Sequence, residues 1–380
     1  MQLRLITMLS IILTVLLWCQ SLTYANTTPD NILGYFSDEY SEARNKFLKA
    51  ANDNNGRINS YENPRTGPNG IDLFLDVATF GPEKPQVILV LSSGTHGVEG
   101  FAGSALQTGL LMQGIVLTLP PHVGLVMIHA INPYGFAHLR RFNEDNVDLN
   151  RNFLDHSKQH PHNDGYKQLA NSIAPLSLSF WSNARSLTTF LWFWLKNGTL
   201  ALRQAISNGQ YSHNDGLFYG GVTAAWSNET IRTIASSHLS VSKKVIIIDF
   251  HTGLGEYSNA EVIMNVSKYS PAFKRAKMWW GDNVKSTVSG EAVATHLHGS
   301  LKLALPKMLP ESEVTAVSLE FGTFPSKNVL WALRSENWLH HWGNNNPDSK
   351  QIKDNLLRAF YPNDEKWKLD VWQKGKKVVE

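Results

Sequence analysis

The sequence predicts an α/β fold, in which buried strands alternate with amphipathic helices along the chain. Three apolar runs have the length and composition of buried strands: residues 87–91, 123–130 and 245–250. A helical pattern follows the first run over residues 99–113, and another precedes the third run over residues 226–239. Polar, chemically active side chains come directly after these runs. Ligands in α/β sheets bind outside the carboxyl ends of the strands, so these positions define the candidate functional site.

Composition bounds the class of protein. The 380 residues are 42% hydrophobic and 18% charged, which is typical of a globular chain with an ample core. The formal net charge of +3 is too small to argue for nucleic acid or for an anionic membrane surface as a partner.

The chain is rich in tryptophan, and a very apolar internal stretch, residues 187–195, is far too short to span a membrane. We interpret this stretch as core or pocket wall, with a membrane-surface patch as the alternative. Most of the clustered tryptophans receive the same interpretation as core or pocket wall: Trp181, Trp192, Trp194, Trp279 and Trp280.

The N-terminus has the composition of a secretory signal peptide. A short positive start precedes an apolar run over residues 5–18, and small residues up to Ala25 offer a cleavage site. We therefore predict a signal peptide over residues 1–25, rather than a membrane anchor, and one catalytic domain over residues 26–380 in a secreted or periplasmic protein. The single cysteine, Cys19, lies inside the predicted signal peptide, so the mature chain would form no disulfide.

His96 and Glu99 follow the first buried strand and its Ser-Ser-Gly turn. An imidazole and a carboxylate at this spacing after a strand could both reach one zinc ion, and zinc favours such ligands in open three-ligand sites. The alternative is a polar loop in which Glu99 caps the following helix. This H-x-x-E pair alone does not decide between the two.

The loop after the second buried strand is dense in Arg, Asn and Asp. It covers residues 132–153 and contains two consecutive arginines and the string Asp-Leu-Asn-Arg-Asn-Phe at residues 148–153. The planar guanidinium of arginine can donate two hydrogen bonds to a carboxylate and can stabilise a developing oxyanion. Arg141 could therefore stabilise an oxyanion while Asn150 and Arg151 bind a substrate carboxylate. The alternative is a surface loop with a salt bridge.

A second histidine and a second carboxylate follow two further buried strands. The run over residues 245–250 delivers His251 at its carboxyl end, the position that His96 has after the first strand. A last apolar run over residues 314–319 is followed at once by Glu320 and a Gly turn. With the H-x-x-E pair these residues compose a His₂Glu zinc site with a general base beside it. A lone histidine after a strand is otherwise more often structural.

Zinc-bound histidines usually donate their second ring nitrogen to an acceptor, and Asp148 and Asp249 are the candidates. The remaining histidine clusters fit no closed zinc pattern and receive no role: His156, His160, His162, His296 and His298.

The whole set resembles the zinc carboxypeptidase superfamily. Its most specific part is the string at residues 148–153, preceded by Arg141-x-Asn143. The string Asp-Phe-His-Thr-Gly at residues 249–253 is similar to the succinylglutamate desuccinylase and aspartoacylase branch, whereas the Arg-x-Asn lead-in looks more like the carboxypeptidase and murein-peptide amidase branches. The segment over residues 94–104 resembles a less characterised group within the superfamily.

The resemblance implies a mixed, largely parallel eight-stranded sheet flanked by helices, with one zinc ion per chain. It also implies a role for each member of the candidate site: His96, Glu99 and His251 as zinc ligands, Glu320 as general base, Arg141 at the scissile carbonyl, Asn150 and Arg151 at a terminal carboxylate, and Asp148 behind His96.

Two departures from the family pattern bear on the site. Arg140 competes with Arg141 for the role at the carbonyl, and the spacing to Asn143 favours Arg141. The tyrosine that caps the substrate in the family has no unambiguous match, because Tyr257 and Tyr269 both lie in the matching interval.

Three functions stay open. The first is a zinc peptidase of carboxypeptidase type that cleaves a peptide bond near a free carboxylate. The second is an amidohydrolase or deacylase on a non-protein amide, such as a murein peptide or an N-acyl amino acid. The third is a catalytically inactive binding protein of the same fold, against which the intact Glu320 and ligand set count. The predicted partner is a small peptide or acylated amino acid, with no nucleic acid and no stable membrane span.

Overall fold

The computed structural model describes residues 29–380 with the exception of residues 296 and 344. The predicted signal peptide and Cys19 lie outside the described residues. The strands are β1 (Arg57–Thr66), β2 (Asp72–Phe80), β3 (Val87–Ser92), β4 (Val123–His129), β5 (Lys244–Thr252), β6 (Ala260–Met264), β7 (Val284–Ser286) and β8 (Glu313–Phe321).

Helices occupy most of the remaining described chain. They are α1 (Pro29–Leu33), α2 (Tyr40–Asp53), α3 (Gly100–Met112), α4 (Ile115–Thr118), α5 (Pro133–Ala137), α6 (Leu149–Asn152), α7 (Asp164–Ile173), α8 (Phe180–Ser207), α9 (Trp226–Ile234), α10 (Pro271–Trp280), α11 (Leu301–Met308), α12 (Ser326–Trp342), α13 (Ser349–Phe360) and α14 (Glu365–Val379).

The strands form one mixed sheet with the order β1-β2-β4-β3-β5-β8-β6-β7. The four central strands β4, β3, β5 and β8 are parallel to one another, and β6 pairs with β7 in parallel. Antiparallel pairing joins β1 to β2, β2 to β4 and β6 to β8. The predicted α/β class, with a mixed and largely parallel eight-stranded sheet, is confirmed.

Helices cover both faces of the sheet, which explains why its central strands are nearly continuous apolar runs. On one face α2, α3 and α14 bury Phe47, Leu106 and Trp372 against the sheet. On the other face α9 and α11 bury Ile231 and Leu305. A third apolar cluster lies among α7, α8, α12 and α13.

Two elements at the margins of the sheet differ from the sequence-based expectation. The sequence predicts one helix over residues 271–284, but α10 ends at Trp280 and Val284 already belongs to β7. β1 was not predicted, because it is an edge strand whose side chains are mostly exposed and whose sequence is polar. Because this edge strand is held by backbone hydrogen bonds to β2 and most of its side chains are exposed, its sequence shows little apolar periodicity.

The interpretation of residues 187–195, which belong to α8, as core or pocket wall is wrong for most of this stretch. Of this stretch Phe193 is buried, whereas Trp192 is 59% exposed and Leu195 is 69% exposed. Trp181 and Trp279 are also exposed, at 78% and 46%. None of the described helices is long and apolar enough to cross a membrane.

A close backbone approach positions the H-x-x-E segment. A short 3-10 turn, Gly97–Glu99, connects β3 to α3, and its first amide donates to the backbone oxygen of Arg141 over 3.1 Å. A Cβ atom on Gly97 would lie 2.0 Å from the backbone carbonyl carbon of Gly135. Backbone atoms cannot move aside as a flexible side chain can, so only glycine fits at position 97.

We expect Gly97→Ala to lower the free energy of unfolding by roughly 3 kcal/mol or more, because overpacking against backbone forces α5 away from the turn. Urea unfolding followed by circular dichroism measures the change. Gly290→Ala is the control: Gly290 has a positive φ of 71° but nothing within 4 Å of its Cβ position, so about 1 kcal/mol is expected there. Equal losses in both variants would contradict the close-approach explanation.

Candidate metal centre and active-site pocket

Adjacent strand ends bring the predicted site residues together. β3, β5 and β8 are consecutive in the sheet, and their carboxyl ends meet at one edge. His96 follows β3, and His251 and Glu320 pair directly across the β5–β8 ladder. β4 lies on the other side of β3 and leads into the arginine-rich loop. One edge of four neighbouring parallel strands therefore supplies the whole candidate site.

His96, Glu99 and His251 form a buried cluster of metal-ligating side chains. One ligand atom from each lies within 4.8 Å of the other two. Nδ1 of His96 is 2.8 Å from Oε1 of Glu99, and Nδ1 of His251 is 3.0 Å from Oε2 of the same carboxylate. The carboxylate of Glu99 thus stands between the two imidazoles.

Each imidazole has a carboxylate behind it. Nε2 of His96 lies 3.2 Å from Oδ1 of Asp148, and Nε2 of His251 lies 2.6 Å from Oδ2 of Asp249. Asp249 is itself fixed by the hydroxyl of Ser92, which donates to it over 2.7 Å. A metal ion at the centre of the cluster would bind both Nδ1 atoms and leave the ring protons on Nε2. For His96 this requires Arg141 to move, because its Nη2, which can only donate, lies 2.9 Å from Nε2 of His96.

The donor set of this cluster fits a zinc ion. Two imidazole nitrogens and one carboxylate are the ligands of open, catalytic zinc sites. Nδ1 of His96 is buried and has no hydrogen-bond partner, although it faces Glu99. A buried nitrogen without a partner is rare in folded proteins, and a bound cation would satisfy it.

The charges within the cluster are strongly coupled. Burial alone would raise the pKa of Glu99, but the positive charges of His96 and Arg141 hold it well below its usual range. Burial alone would lower the pKa of His251, but Asp249 and Glu99 raise it to about 10. The cluster without a metal therefore holds a proton, which a metal ion must displace on binding.

The two consecutive arginines have different surroundings. Arg140 is buried away from the cluster, and its Nε donates to Oε1 of Glu336 over 2.8 Å. Arg141 reaches the cluster, where it donates to Oε1 of Glu99 over 2.5 Å and to Oδ2 of Asp148 over 3.3 Å. The structure thus brings Arg141 to the candidate metal centre and leaves Arg140 in the core.

Asn150 and Arg151 are held by backbone groups next to the cluster. Nη2 of Arg151 donates to the backbone oxygen of Ser207 over 2.5 Å, and Nη1 donates to that of Asn150 over 3.2 Å. Oδ1 of Asn150 accepts from the amide of Leu301 over 3.1 Å. The Nε of Arg151 is buried without a partner, so one donor of this guanidinium is still available.

Glu320 is buried beside the cluster. Its Oε1 accepts from the amide of Leu254 over 3.0 Å, whereas Oε2 forms no hydrogen bond to another described residue. Burial raises the pKa of Glu320 above its usual value, and the negative charge of Glu99 acts in the same direction. A carboxylate with a raised pKa exchanges a proton more readily near neutral pH, as a general base must.

One cavity of about 660 Å³ connects these side chains. Its apolar walls come from α8, α12 and α13, including Leu202, Leu330 and Phe360. All the predicted site residues except Asp148, which lies behind His96, line it: His96, Glu99, Arg141, Asn150, Arg151, His251 and Glu320.

Neither tyrosine that could have matched the family's capping residue lines this cavity. Tyr257 donates to Asp364 over 2.6 Å, and Tyr269 is 76% exposed. In the histidine-rich patch, Nδ1 of His156 lies 3.0 Å from Nε2 of His160. Among the described residues, this patch contributes no group of three ligands that could hold a metal ion.

Sequence analysis missed Lys302 and Ser318, which also line the cavity. Ser318 could have been found, because the alternation of β8 places it on the same face as Glu320. Lys302 had no such signal. It lies in the first turn of α11, where Pro306 inside a short helix obscures the helical pattern.

The comparisons with known proteins identify a family. A family model described as "Protein of unknown function (DUF2817)" matches residues 36–374. The chain belongs to the DUF2817 family. The comparison with curated proteins gives no match.

Several solved structures resemble this DUF2817 protein at low identity. Carboxypeptidase A from Helicoverpa armigera is 12% identical, with a TM-score of 0.45 over 85% of this chain and 74% of that chain. Bovine thrombin-activatable fibrinolysis inhibitor, in complex with tick carboxypeptidase inhibitor, is 12% identical, with a TM-score of 0.44 over 90% and 99%. Succinylglutamate desuccinylase from Chromobacterium violaceum is 14% identical, with a TM-score of 0.37 over 84% and 74%.

A buried ion-pair network supports the arginine-rich loop from behind. Oε1 of Glu336 accepts from Arg140 and, over 2.7 Å, from Lys353. Burial alone would raise the pKa of Glu336, but these two cations lower it to about 2, from a usual value of 4.5. Because the pKa is depressed in the folded state, this carboxylate contributes stability above pH 4.5 that is lost as the pH falls toward 2.

We expect Glu336→Gln to cost roughly 3–5 kcal/mol at pH 7, because it leaves buried cations uncompensated. Urea unfolding between pH 7 and pH 3 measures this, and the stability of the variant should depend less on pH than that of the wild type below pH 4.5. Asp282→Asn, which breaks an exposed pair with Lys277, is the control and should change little. Parallel pH profiles of wild type and Glu336→Gln would show that Glu336 has no special role.

Proposed function

We propose that this DUF2817 protein is a zinc-dependent hydrolase of carboxypeptidase type, which cleaves a peptide or other amide bond next to a free carboxylate. One observation carries the proposal: the buried His-Glu-His cluster, the second carboxylate Glu320 and the cavity-lining arginines all face one cavity. The predicted signal peptide supports a secreted or periplasmic location for this activity.

The chemistry divides between a metal ion and Glu320. A zinc ion held by the cluster would supply Lewis-acid chemistry toward a carbonyl group. Glu320 takes a proton from the attacking water and returns it to the leaving nitrogen. Its raised pKa favours both transfers near neutral pH, and the amide of Leu254 fixes one oxygen, so that Oε2 remains for the proton.

Arg141 stabilises the oxyanion that develops at the scissile carbonyl. Its guanidinium already lies at the cluster, where it contacts Glu99 and Asp148. To serve the substrate it exchanges the contact with Glu99 for the carbonyl oxygen. Removing a single donor of this kind costs about 3–4 kcal/mol of transition-state stabilisation in other hydrolases.

Asn150 and Arg151 bind the free carboxylate of the substrate. The unpartnered Nε of Arg151 supports this role, since a buried guanidinium with an unused donor favours an anionic ligand. A peptide with a free C-terminus, a murein peptide and an N-acyl amino acid all carry such a carboxylate. The deacylase alternative therefore shares the anchor and differs only in the group on the other side of the bond.

We expect Glu320→Gln to keep the metal and to lose most turnover, because it removes proton transfer and leaves the ligands in place. His96→Ala and His251→Ala should lose both. The measurement is zinc per chain by mass spectrometry, together with hydrolysis of a panel of C-terminal peptides and N-acyl amino acids. Matched amidated substrates test the need for a free carboxylate.

About one zinc per chain, absent from both histidine variants, would support the proposed site. Turnover of peptides alone identifies a peptidase, and turnover of N-acyl amino acids alone identifies a deacylase. Near-normal turnover in Glu320→Gln would contradict the role of Glu320. Metal content that neither histidine variant changes would contradict the catalytic proposal and leave a binding protein.

A further inference from the structure

A lysine in the wall of the cavity has no carboxylate partner. The ammonium group of Lys302 donates to Oγ of Ser318 and, over 3.3 Å, to the backbone oxygen of Ile263. Both acceptors are uncharged. Within the described part of the chain Lys302 forms no ion pair, whereas Arg141 of the same cavity pairs with Asp148.

An ammonium group that is partly removed from water and bound only to neutral acceptors is held at a free-energy cost. Burial lowers the pKa of Lys302 to about 8, although Asp249 and Glu320 favour its charged form. Neither of these carboxylates is within ion-pair distance, and Asp249 already binds His251. An anion that entered the cavity beside Lys302 would offset the cost of burying its charge.

Lys302 lies between the proposed general base and the proposed carboxylate anchor. Ser318 precedes Glu320 by two residues on β8, so their side chains share one face, roughly 6–7 Å apart along the strand. On the other side, the amide of Leu301 donates to Oδ1 of Asn150. The residue whose carboxylate binds at Asn150 would therefore extend its side chain toward Lys302.

We propose that Lys302 determines the specificity of this cavity, and that it selects substrates in which the residue with the free carboxylate also has an acidic side chain, as in Asp or Glu. The proposal deepens the proposed function and rests on it. The surroundings agree, because Asn265 donates to Oγ of Ser300 over 3.2 Å beside Lys302 and so adds polar groups to this end of the cavity. An apolar side chain there would leave the ammonium desolvated and unpaired.

The test compares N-acetyl-glutamate with N-acetyl-glutamine, which differ only in the charge of the side chain. Calorimetry on the purified, zinc-loaded protein should give at least about tenfold tighter binding of N-acetyl-glutamate. In Lys302→Met the ratio of the two dissociation constants should fall to about one. Lys327→Met is the matched control, since Lys327 is an exposed lysine that also lines the cavity, and the ratio should persist there.

The melting temperature separates specificity from a structural role. Lys302→Met should melt no lower than the wild type, because it removes an unpaired, partly buried charge. If it fails to fold, Lys302→Gln takes its place. A ratio near one in the wild type, or a ratio that survives the loss of the charge, overturns the proposal. A preference for N-acetyl-glutamate without hydrolysis of any substrate supports the role of Lys302 in specificity and contradicts the proposed function. Hydrolysis without this preference supports the proposed function and contradicts the role of Lys302.

The exposed face of α8 carries a second, independent inference. Its side chains form an apolar arc on the helix surface, and its charged residues are all basic: Arg185, Lys196 and Arg203. Leu191 and Trp192 are 53% and 59% exposed at the centre of this arc. The ammonium of Lys196 lies 5.1 Å from the ring centroid of Trp192. Arg185 and Lys196 flank the arc at helical spacing.

We infer that this face of α8 binds the surface of an anionic lipid bilayer. A helix with Trp and Leu on its exposed arc, cations beside them and no carboxylate has the chemistry of an interfacial membrane helix. The absence of Asp and Glu from α8 gives charge complementarity to anionic headgroups, although the net charge of the whole chain is only +3. Trp at such a surface sits at the headgroup level.

Flotation with vesicles tests this inference. The full chain should float with phosphatidylglycerol-containing vesicles, and less with pure phosphatidylcholine or at high salt. The double variant Leu191→Glu with Trp192→Glu should lower the floated fraction at least about tenfold. Met278→Glu is the matched control on α10, because Met278 is 75% exposed, and it should float like the wild type.

An absence of flotation, or flotation that the double variant retains, overturns the inference; the latter would assign vesicle binding to another part of the chain. Light scattering on the same proteins adds a further outcome. A dimer that the double variant converts to a monomer, without flotation, would assign the face to a second copy of this chain and also overturn the lipid proposal.

Discussion

The parallel register of β3, β5 and β8 is the constraint on which the candidate site depends. Ser92 pairs with Asp249, Asp249 with Ser318, and His251 with Glu320. Because side chains alternate along a strand, Asp249 and His251 share a face, as do Ser318 and Glu320. A slip of one residue in the β5–β8 ladder would send Glu320 and His251 to opposite faces.

The same register explains how a site so rich in charge can be buried. The hydroxyl of Ser92 reaches Asp249 from the neighbouring strand, and Asp249 in turn orients His251. Glu99, Asp148 and Asp249 are each matched by a cation or by several donors, which is what burial of charge requires. Lys302, which is partly buried, lacks such a match. A charge without a partner inside the fold is expected at functional sites, where a ligand supplies the partner.

The central sheet and the cluster could be predicted from sequence, because a strand that is buried on both faces has a nearly continuous apolar sequence. Such a run precedes each of His96, His251 and Glu320. Predicting the strand therefore also placed the residue at the carboxyl-end edge of the sheet. β1 left no comparable pattern, since an edge strand exposes most of its side chains. The contact of Arg141 with Glu99 could not be predicted from sequence, because the number of residues between them does not give their distance in the folded loop.

The wrong interpretation of α8 has a physical cause. Apolar residues are buried on average, so a helix rich in them is expected to be buried. The same sequence composition also fits a helix whose apolar arc faces outward. α8 serves two surfaces: the backbone turns out of helical geometry at Gly198, with φ 82°, and the segment beyond it supplies Leu202 and Ile206 to the cavity wall. The exposed arc precedes this break and the cavity wall follows it. A single element therefore joins the outer apolar face to the candidate active site, and any partner held on that face lies along the same helix as the substrate.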